Sequence, residues 1–448
     1  MNKKSFHIVS LGCAKNSVDS DSMSQLLVDA GYENVDDASQ ADILIVNTCG
    51  FISAAKDESY SVLADLSANK KRGQVLIAAG CLTQRYGSEV KEHVPGVDAI
   101  LGTRRWMDIV DVVDRLRVTH QRTRDVPGAA PVARNEHGVQ RVSIQGASAY
   151  LKIADGCRRP CAFCAIPLIK GTAVSRPVDS ILAEAHSLQA KGVREIVLIA
   201  QDTTDYGYDL GLKNGLAYLL RKIADTIPAV DWIRIMYAYP GYVTDELIEV
   251  IANNKQVVHY LDMPLQHSHP AVLRRMRRPT NVGWVHKTVE KMRKVIPDLV
   301  LRTTFIVGYP GETEDEFHDL LDFVEEMRFD KVGAFKYSFE PGTAAEALGD
   351  PVPDDVKADR LKRLMETQQR ISLERNREII GRKLDILIEG FGQGVSIGRS
   401  YRDAPEIDGL VLVKGQIPVG QMIPVRIIQA SIYDLSGVRV SKKIGHNS

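Results

Sequence analysis

A chain of 448 residues, 44% of them hydrophobic and 25% charged, has the composition of an ordinary globular protein with room for about two to four domains. Its 57 Lys and Arg balance its 57 Asp and Glu, which argues against a dedicated nucleic-acid binder. Six cysteines are too sparse for a disulfide scaffold, no apolar run approaches a membrane helix, and the first residues lack the apolar core of a signal peptide, so a reducing, cytoplasmic setting with no membrane partner is expected.

The first third alternates strand and helix patterns. Strands are predicted at 6–11, 41–46 and 74–79, with helices at 19–30 and 54–68. This βαβ order implies a parallel sheet with helices on its faces. Each strand is followed almost at once by a cysteine: Cys13, Cys49 and Cys81. One such cysteine is unremarkable, because cysteine is often simply buried. Three in the same position would meet at the carboxyl edge of the sheet, where ligands gather, and this points to a three-cysteine cluster. Residues 120–146 lose periodicity and read as a linker.

A second alternation follows, with strands predicted at 150–153, 195–200, 232–237, 259–263, 299–307 and 331–337. Helices are predicted between them at 178–191, 216–226, 245–253, 285–295 and 314–327. Six βα units suggest a partial or open (β/α)6 barrel, whose chemistry belongs at the C-terminal strand ends. A charged stretch at 354–382 reads as one long helix. Short β runs at 384–388, 410–413, 422–429 and 435–440 then suggest a small antiparallel, OB-like barrel. The fold class is therefore multidomain α/β.

The loop after the first barrel strand reads Cys157-Arg158-Arg159-Pro160-Cys161-Ala162-Phe163-Cys164. Three thiolates at this spacing can hold three irons of a 4Fe–4S cube and leave the fourth open. Zinc and unrelated core thiols are the alternatives. Structural zinc wants four closed ligands, but no fourth cysteine lies nearby and His186 falls in a predicted helix.

Other positions have two readings each. Gly308-Tyr309-Pro310-Gly311-Glu312-Thr313 is a turn, or a loop that lets a ligand approach its backbone. Gln201-Asp202-Thr203 and Gln266-His267-Ser268 end strands and offer either cofactor contacts or caps. Arg302 and Arg234 lie inside apolar strands, so each should hold a cofactor carboxylate or pair with a core acid. Phe163 shields a cube or simply packs. The run Arg274-Arg275-Met276-Arg277-Arg278 is a phosphate or acidic-partner site, or a solvated face. Between residues 384 and 438 the cations are Arg399, Arg402, Lys414 and Arg426, against Asp385, Glu389, Asp403, Glu406, Asp408 and Asp434. That barrel suits a basic protein better than RNA, although Arg439, Lys442 and Lys443 beside it weaken the argument.

Cys157 to Cys164, with an aromatic before the last cysteine, resembles the radical S-adenosylmethionine (SAM) signature. The two cysteine trios and the terminal barrel resemble the methylthiotransferases of that superfamily. The resemblance implies an N-terminal domain over 5–119 with an auxiliary cluster, a linker at 120–146, a radical SAM core over 147–380 and a TRAM domain over 383–448. It implies two 4Fe–4S clusters, one on Cys13, Cys49 and Cys81 and one on Cys157, Cys161 and Cys164. SAM contacts would come from Gln201, Gln266, Arg302, Gly308 and Gly311. The tRNA-modifying branch typically carries Gln-Met-Asn after its first cysteine. Here stands Cys13-Ala14-Lys15-Asn16, and with Asn47-Thr48-Cys49-Gly50-Phe51-Ile52 this is similar to the RimO-type branch. Asp21 stands where glutamate is common, a departure of the same charge.

The implied reaction begins with SAM chelated at the open iron and cleaved by one electron. The resulting radical takes hydrogen from the β-carbon of an aspartate in ribosomal protein S twelve, free or within the small subunit. Sulfur comes from the auxiliary cluster and methyl from a second SAM. An electron donor such as flavodoxin or ferredoxin and a sulfur source complete the set. A tRNA methylthiotransferase is the alternative within the superfamily. A metal-stabilised RNA-binding adaptor is the alternative outside it, and would call for closed four-ligand sites.

Overall fold

The computed structural model describes residues 4–119, 123–125, 136 and 138–440. Most of the predicted linker, together with Lys442 and Lys443, lies outside the described residues. Within the predicted linker, Thr123–Asp125 and Val142–Gln145 are strands. Each is a short edge strand, too brief to leave an alternation in the sequence.

The first domain is one parallel sheet in the spatial order Glu33–Asn34, Ser5–Ser10, Ile43–Thr48, Val75–Gly80, Ala99–Gly102, Thr123–Asp125. Ile43–Thr48 is buried along its whole length, as expected of a strand covered on both faces. Two apolar clusters flank the sheet, one around Phe6, Met23 and Trp106, the other around Leu44, Leu63 and Leu82. The first helix, Ala14–Asp29, begins five residues before the predicted start. It buries Lys15, Asn16, Asp19, Ser20 and Ser22 along with Val18, Met23 and Leu27. A helix that hides polar residues has no clean apolar stripe to read, and the cause is its position between two domains.

The second sheet runs Lys331–Lys336, Val300–Val307, Val257–Asp262, Trp232–Ile235, Glu195–Ile199, Ser148–Lys152, Val142–Gln145. The first six are parallel in chain order and the last is antiparallel. The sheet does not close, so this is a partial barrel. Its inward layer includes Tyr150, Val197, Met236 and Tyr260, joined by Val18 of the first domain and by Leu387 and Ala404 of the terminal barrel. The long helix Asp354–Arg377 stops short of the predicted end, and Gly381 follows at φ +87°.

The terminal barrel closes in the order Lys383–Gly392, Val395–Arg399, Val411–Lys414, Leu435–Arg439, Met422–Ala430. Four of its pairings are antiparallel, and Val411–Lys414 with Leu435–Arg439 is parallel. Val395–Arg399 was not among the predicted strands. The barrel docks through charges. Glu195 accepts from Arg234 Nε at 2.7 Å and from Arg399 Nη2 at 2.5 Å. Lys331 pairs with Asp403 at 2.8 Å, and Tyr260 donates to Asp408 at 2.7 Å. Arg234 therefore pairs with a core acid.

Burial alone would raise Glu195, but Arg234 and Arg399 outweigh it and hold the carboxyl at about 2, below its ordinary 4.5. A depressed carboxylate contributes stability that is complete above its ordinary range and lost as pH falls through the folded value. The shift from 4.5 to about 2 corresponds to roughly 3 kcal/mol. Docking of the terminal barrel should weaken between about pH 4.5 and 2. Limited proteolysis across this window checks it, and Glu195→Gln, already destabilised at neutral pH, should change less with acid.

Among the described residues, no helix is long and apolar enough to cross a membrane.

Candidate active site

Cys157, Cys161 and Cys164 lie in a loop clipped at several points. Cys157 N–H donates to Gly171 O at 3.0 Å, Cys164 N–H to Cys161 O at 3.2 Å, and Ala162 N–H to Met276 O at 2.9 Å. The three cysteines line one cavity of about 220 Å³ at the C-terminal ends of the barrel strands. Phe163, Gln201, Tyr237, Tyr239, Gln266 and Arg278 share its wall. Arg159 N–H and Arg278 Nη1 donate to Cys157 Sγ and Cys161 Sγ, each at 3.5 Å. Burial raises the Cys157 thiol to about 11 and the Cys164 thiol to about 12. Loading a metal there must therefore displace protons.

Cys13, Cys49 and Cys81 come together as the strand ends required. Ser5–Ser10, Ile43–Thr48 and Val75–Gly80 are parallel neighbours. Asn16 ties two of these ends, donating through Nδ2 to Leu11 O at 2.6 Å and to Thr48 O at 3.2 Å. Gly12 has φ +92°, and a Cβ there would stand 2.9 Å from Cys49 Sγ. The missing side chain is space that the thiol uses. Cys81 opens the helix Cys81–His93, and burial raises its thiol to about 12. Desolvation would also raise Cys13, but Lys15, two peptide N–H groups and Lys170 outweigh it and bring that thiol below its ordinary value.

The domain that carries the first trio docks beside the second. Phe51, two residues beyond Cys49, is part of the wall of the cavity that holds Cys157, Cys161 and Cys164. Arg85 pairs with Glu340 at 2.6 Å. Arg104 Nε and Nη2 donate to Ile169 O at 2.8 Å and Leu168 O at 2.9 Å, on the helix that follows the cysteine loop. Asp19 is paired with Lys152 at 2.8 Å, with Lys170 at 2.7 Å and with Arg141.

Each donor set offers three thiols, the number that a 4Fe–4S cube with one open corner takes. Among the described residues, no three His, Cys, Asp or Glu side chains converge on a single-ion site. One zinc needs its ligands around a point, whereas a cube spreads them over separate corners.

Residues 5–102 match the Uncharacterized protein family UPF0004, residues 151–324 the Radical SAM superfamily and residues 380–440 the TRAM domain. A protein of Chloroflexus aurantiacus named "Ribosomal protein uS12 methylthiotransferase RimO" is 50% identical over 97% of this chain and 100% of its own. Proteins of the same name from a Roseiflexus species and a Thermoanaerobacter species are 47% and 46% identical, over 97% of this chain and 97% and 99% of theirs. The chain belongs to the RimO family. Among solved structures, the radical SAM methyltransferase TsrM from Kitasatospora setae superposes with a TM-score of 0.57 at 13% identity, over 89% of this chain and 81% of that one. At that identity the likeness concerns the fold alone. The superfamily match implies SAM and one 4Fe–4S cluster.

Within this RimO-family fold the predicted SAM contacts divide. Gln201 and Gln266 face the cavity. Gln266 and its neighbour in the wall, Tyr237, hold φ +75° and +62°, conformations that cost energy and cluster at functional sites. Arg302, Gly308 and Gly311 are not part of that wall. Arg302 is the third residue of its strand, roughly 16 Å of chain below the strand's end. It pairs with Asp262 at 2.8 Å and lies 3.6 Å from Asp408. Gly308, at φ +71°, is glycine because a Cβ would stand 2.3 Å from Lys357 Cγ on the long helix. Gly311 O accepts from Arg275 Nη2 at 3.0 Å, and Thr313 forms a capping box with Glu316. The loop is a brace: its Tyr309 packs in one cluster with Ala162 of the cysteine loop.

Other two-sided readings close here. Asp202 caps a turn through Thr204 N–H at 2.9 Å and accepts from Arg159 Nε at 2.6 Å. His267, pushed by burial to about 3, is neutral and accepts from His269 N–H at 3.0 Å. The basic run is no single face: Arg275 pairs with Glu316 at 2.7 Å, while Arg278 enters the cavity. Arg278, Tyr239, Tyr237 and Phe51 were not foreseen as site residues. Only Arg278 had a signal, its place in the run of arginines.

Proposed function

We propose that this chain adds a methylthio group to the β-carbon of an aspartate in ribosomal protein S twelve. The observation that carries the reading is Phe51, which brings the segment after Cys49 into the wall around Cys157, Cys161 and Cys164. A thiol trio whose cavity is walled in part by the segment carrying a second trio suits a reaction that must activate a carbon and then deliver sulfur to it. The names of the full-length relatives support the same substrate.

Cys157, Cys161 and Cys164 hold one 4Fe–4S cluster, and Cys13, Cys49 and Cys81 hold a second. When bound, these clusters and SAM supply the one-electron chemistry that an unacidic C–H bond demands, together with the sulfur and methyl that replace its hydrogen. The chain's own residues position and exclude. Arg278 and the Arg159 N–H donate toward cysteine sulfur, Asp202 fixes Arg159, and Gln201 and Gln266 present amides to SAM. Phe163, Tyr239 and Phe51 keep water from the cavity. The working units are an N-terminal domain over 5–119, a radical SAM core over 147–380 and a TRAM domain over 383–448. A one-electron donor such as flavodoxin or ferredoxin and a sulfur source complete the reaction, in the cytoplasm.

The terminal barrel favours a protein substrate over tRNA. Arg399 and Arg402 are buried against the core, so Lys414 and Arg426 are the cations left facing outward between residues 384 and 438. An RNA-binding barrel should expose more.

The test is anaerobic reconstitution with iron, sulfide, SAM and reductant, followed by analysis for 5′-deoxyadenosine. A peptide spanning the target aspartate should gain a methylthio group by mass. Methylthiolation of tRNA with no change in the peptide would sink the proposal.

A further inference from the structure

Lys15 is a buried cation without a counter-ion. It lies in the first turn of Ala14–Asp29, two residues past Cys13, and is 7% exposed. Its Nζ sits 3.3 Å from the centroid of the Tyr237 ring. Among the described residues, no carboxylate lies within ion-pairing distance of it. The acidic groups around it are the Tyr237 phenol, the Cys13 thiol and Asp262, and Asp262 is already bound by Arg302 Nη1 at 2.8 Å. The other buried lysines at the junctions between the domains are paired: Lys152 and Lys170 with Asp19, and Lys331 with Asp403. A buried charge is costly unless it is answered, and a ring face answers it only in part. An anion is what this position lacks.

The location says which anion. Tyr237, under the lysine, belongs to the wall that surrounds Cys157, Cys161 and Cys164, and it holds a strained φ of +62°. Lys15 therefore lies against one residue of that wall, two residues beyond a cysteine of the other trio.

We propose that Lys15 Nζ receives the side-chain carboxylate of the target aspartate. This rests on the functional reading above and adds to it the residue that selects the substrate. The β-carbon is bonded directly to that carboxyl group, so a cation gripping the carboxylate fixes the reacting carbon within one bond. The hydrogen bond is charge-assisted and made in a desolvated place, where such bonds are strong. Asparagine has the same shape without the charge and should be refused.

The experiment measures binding of two peptides to the reconstituted full chain, one with the target aspartate and one with asparagine in its place. The unmodified protein should prefer the aspartate peptide by roughly thirtyfold. Lys15→Met, close in length and uncharged, should lose affinity for the aspartate peptide and bind both alike. Lys15→Arg should recover part of the preference. Iron content and the absorption spectrum are recorded for each variant. If Lys15 serves only to balance the charge of a cluster on Cys13, Cys49 and Cys81, the reduction potential moves and the peptide preference does not. That result overturns the assignment, and so does an equal loss for both peptides. A parent protein that cleaves SAM yet neither binds nor modifies either peptide refutes the substrate itself, and the assignment with it.

Discussion

Replacing Cys161 with alanine should reduce 5′-deoxyadenosine formation to background, whereas Cys81→Ala should leave that formation in place and end only the transfer of methylthio. The asymmetry follows from geometry. Cys161 lines the barrel cavity with Cys157 and Cys164, and its sulfur receives Arg278 Nη1. Cys81 stands across the domain boundary, at the edge of a different sheet. Each trio has its own backbone supports, so loss of one thiol should not unseat the other site. Iron analysis of each variant should find the other trio still loaded. Equal loss of both activities in both variants would mean that the trios form a single unit.

The second large effect belongs to Asp19. It is 1% exposed and faces Lys152, Lys170 and Arg141. Burial alone would raise its carboxyl, but these three cations hold it far below the ordinary range. Asp19→Ala leaves the three cations with Asp155 and Glu136 as their remaining acids. Stripping one partner from a buried charge cluster costs about 3–5 kcal/mol, and thermal or urea unfolding should register a loss of that size. The variant should also lose coupling, because Lys170 closes the helix after the cysteine loop. More SAM should be cleaved per methylthio group delivered. A neutral result in both measurements would mean that the charged junction is dispensable for docking.

Much of the site was legible without coordinates. The six cysteines carry their own signal, since a thiol at a strand's end or in a C-x₃-C-x₂-C loop reads the same in one dimension as in three. The barrel strands were legible because a fully buried parallel strand is a continuous apolar run. The start of the first helix was not, because its buried face is polar. Lys15 and Asp19 look like solvated residues in sequence, and only the second domain makes them internal. Arg302 was open to two readings, a cofactor contact or a pair with a core acid, and the fold gives it Asp262. The glycines of the Gly308 loop allowed either a plain turn or a ligand cradle, and Gly308 makes room for Lys357 on a helix some fifty residues later.

The sequence by itself determined most of the elements, the grouping of the cysteines and the family resemblance, because each depends on local spacing and periodicity. The tertiary structure alone decided which polar side chains are buried, which charges are paired and that Lys15, packed on Tyr237, has no carboxylate to pair with among the described residues. Those properties arise from surfaces distant in sequence meeting in space. No local pattern records the desolvation that makes them costly, or the pairing that makes them stable.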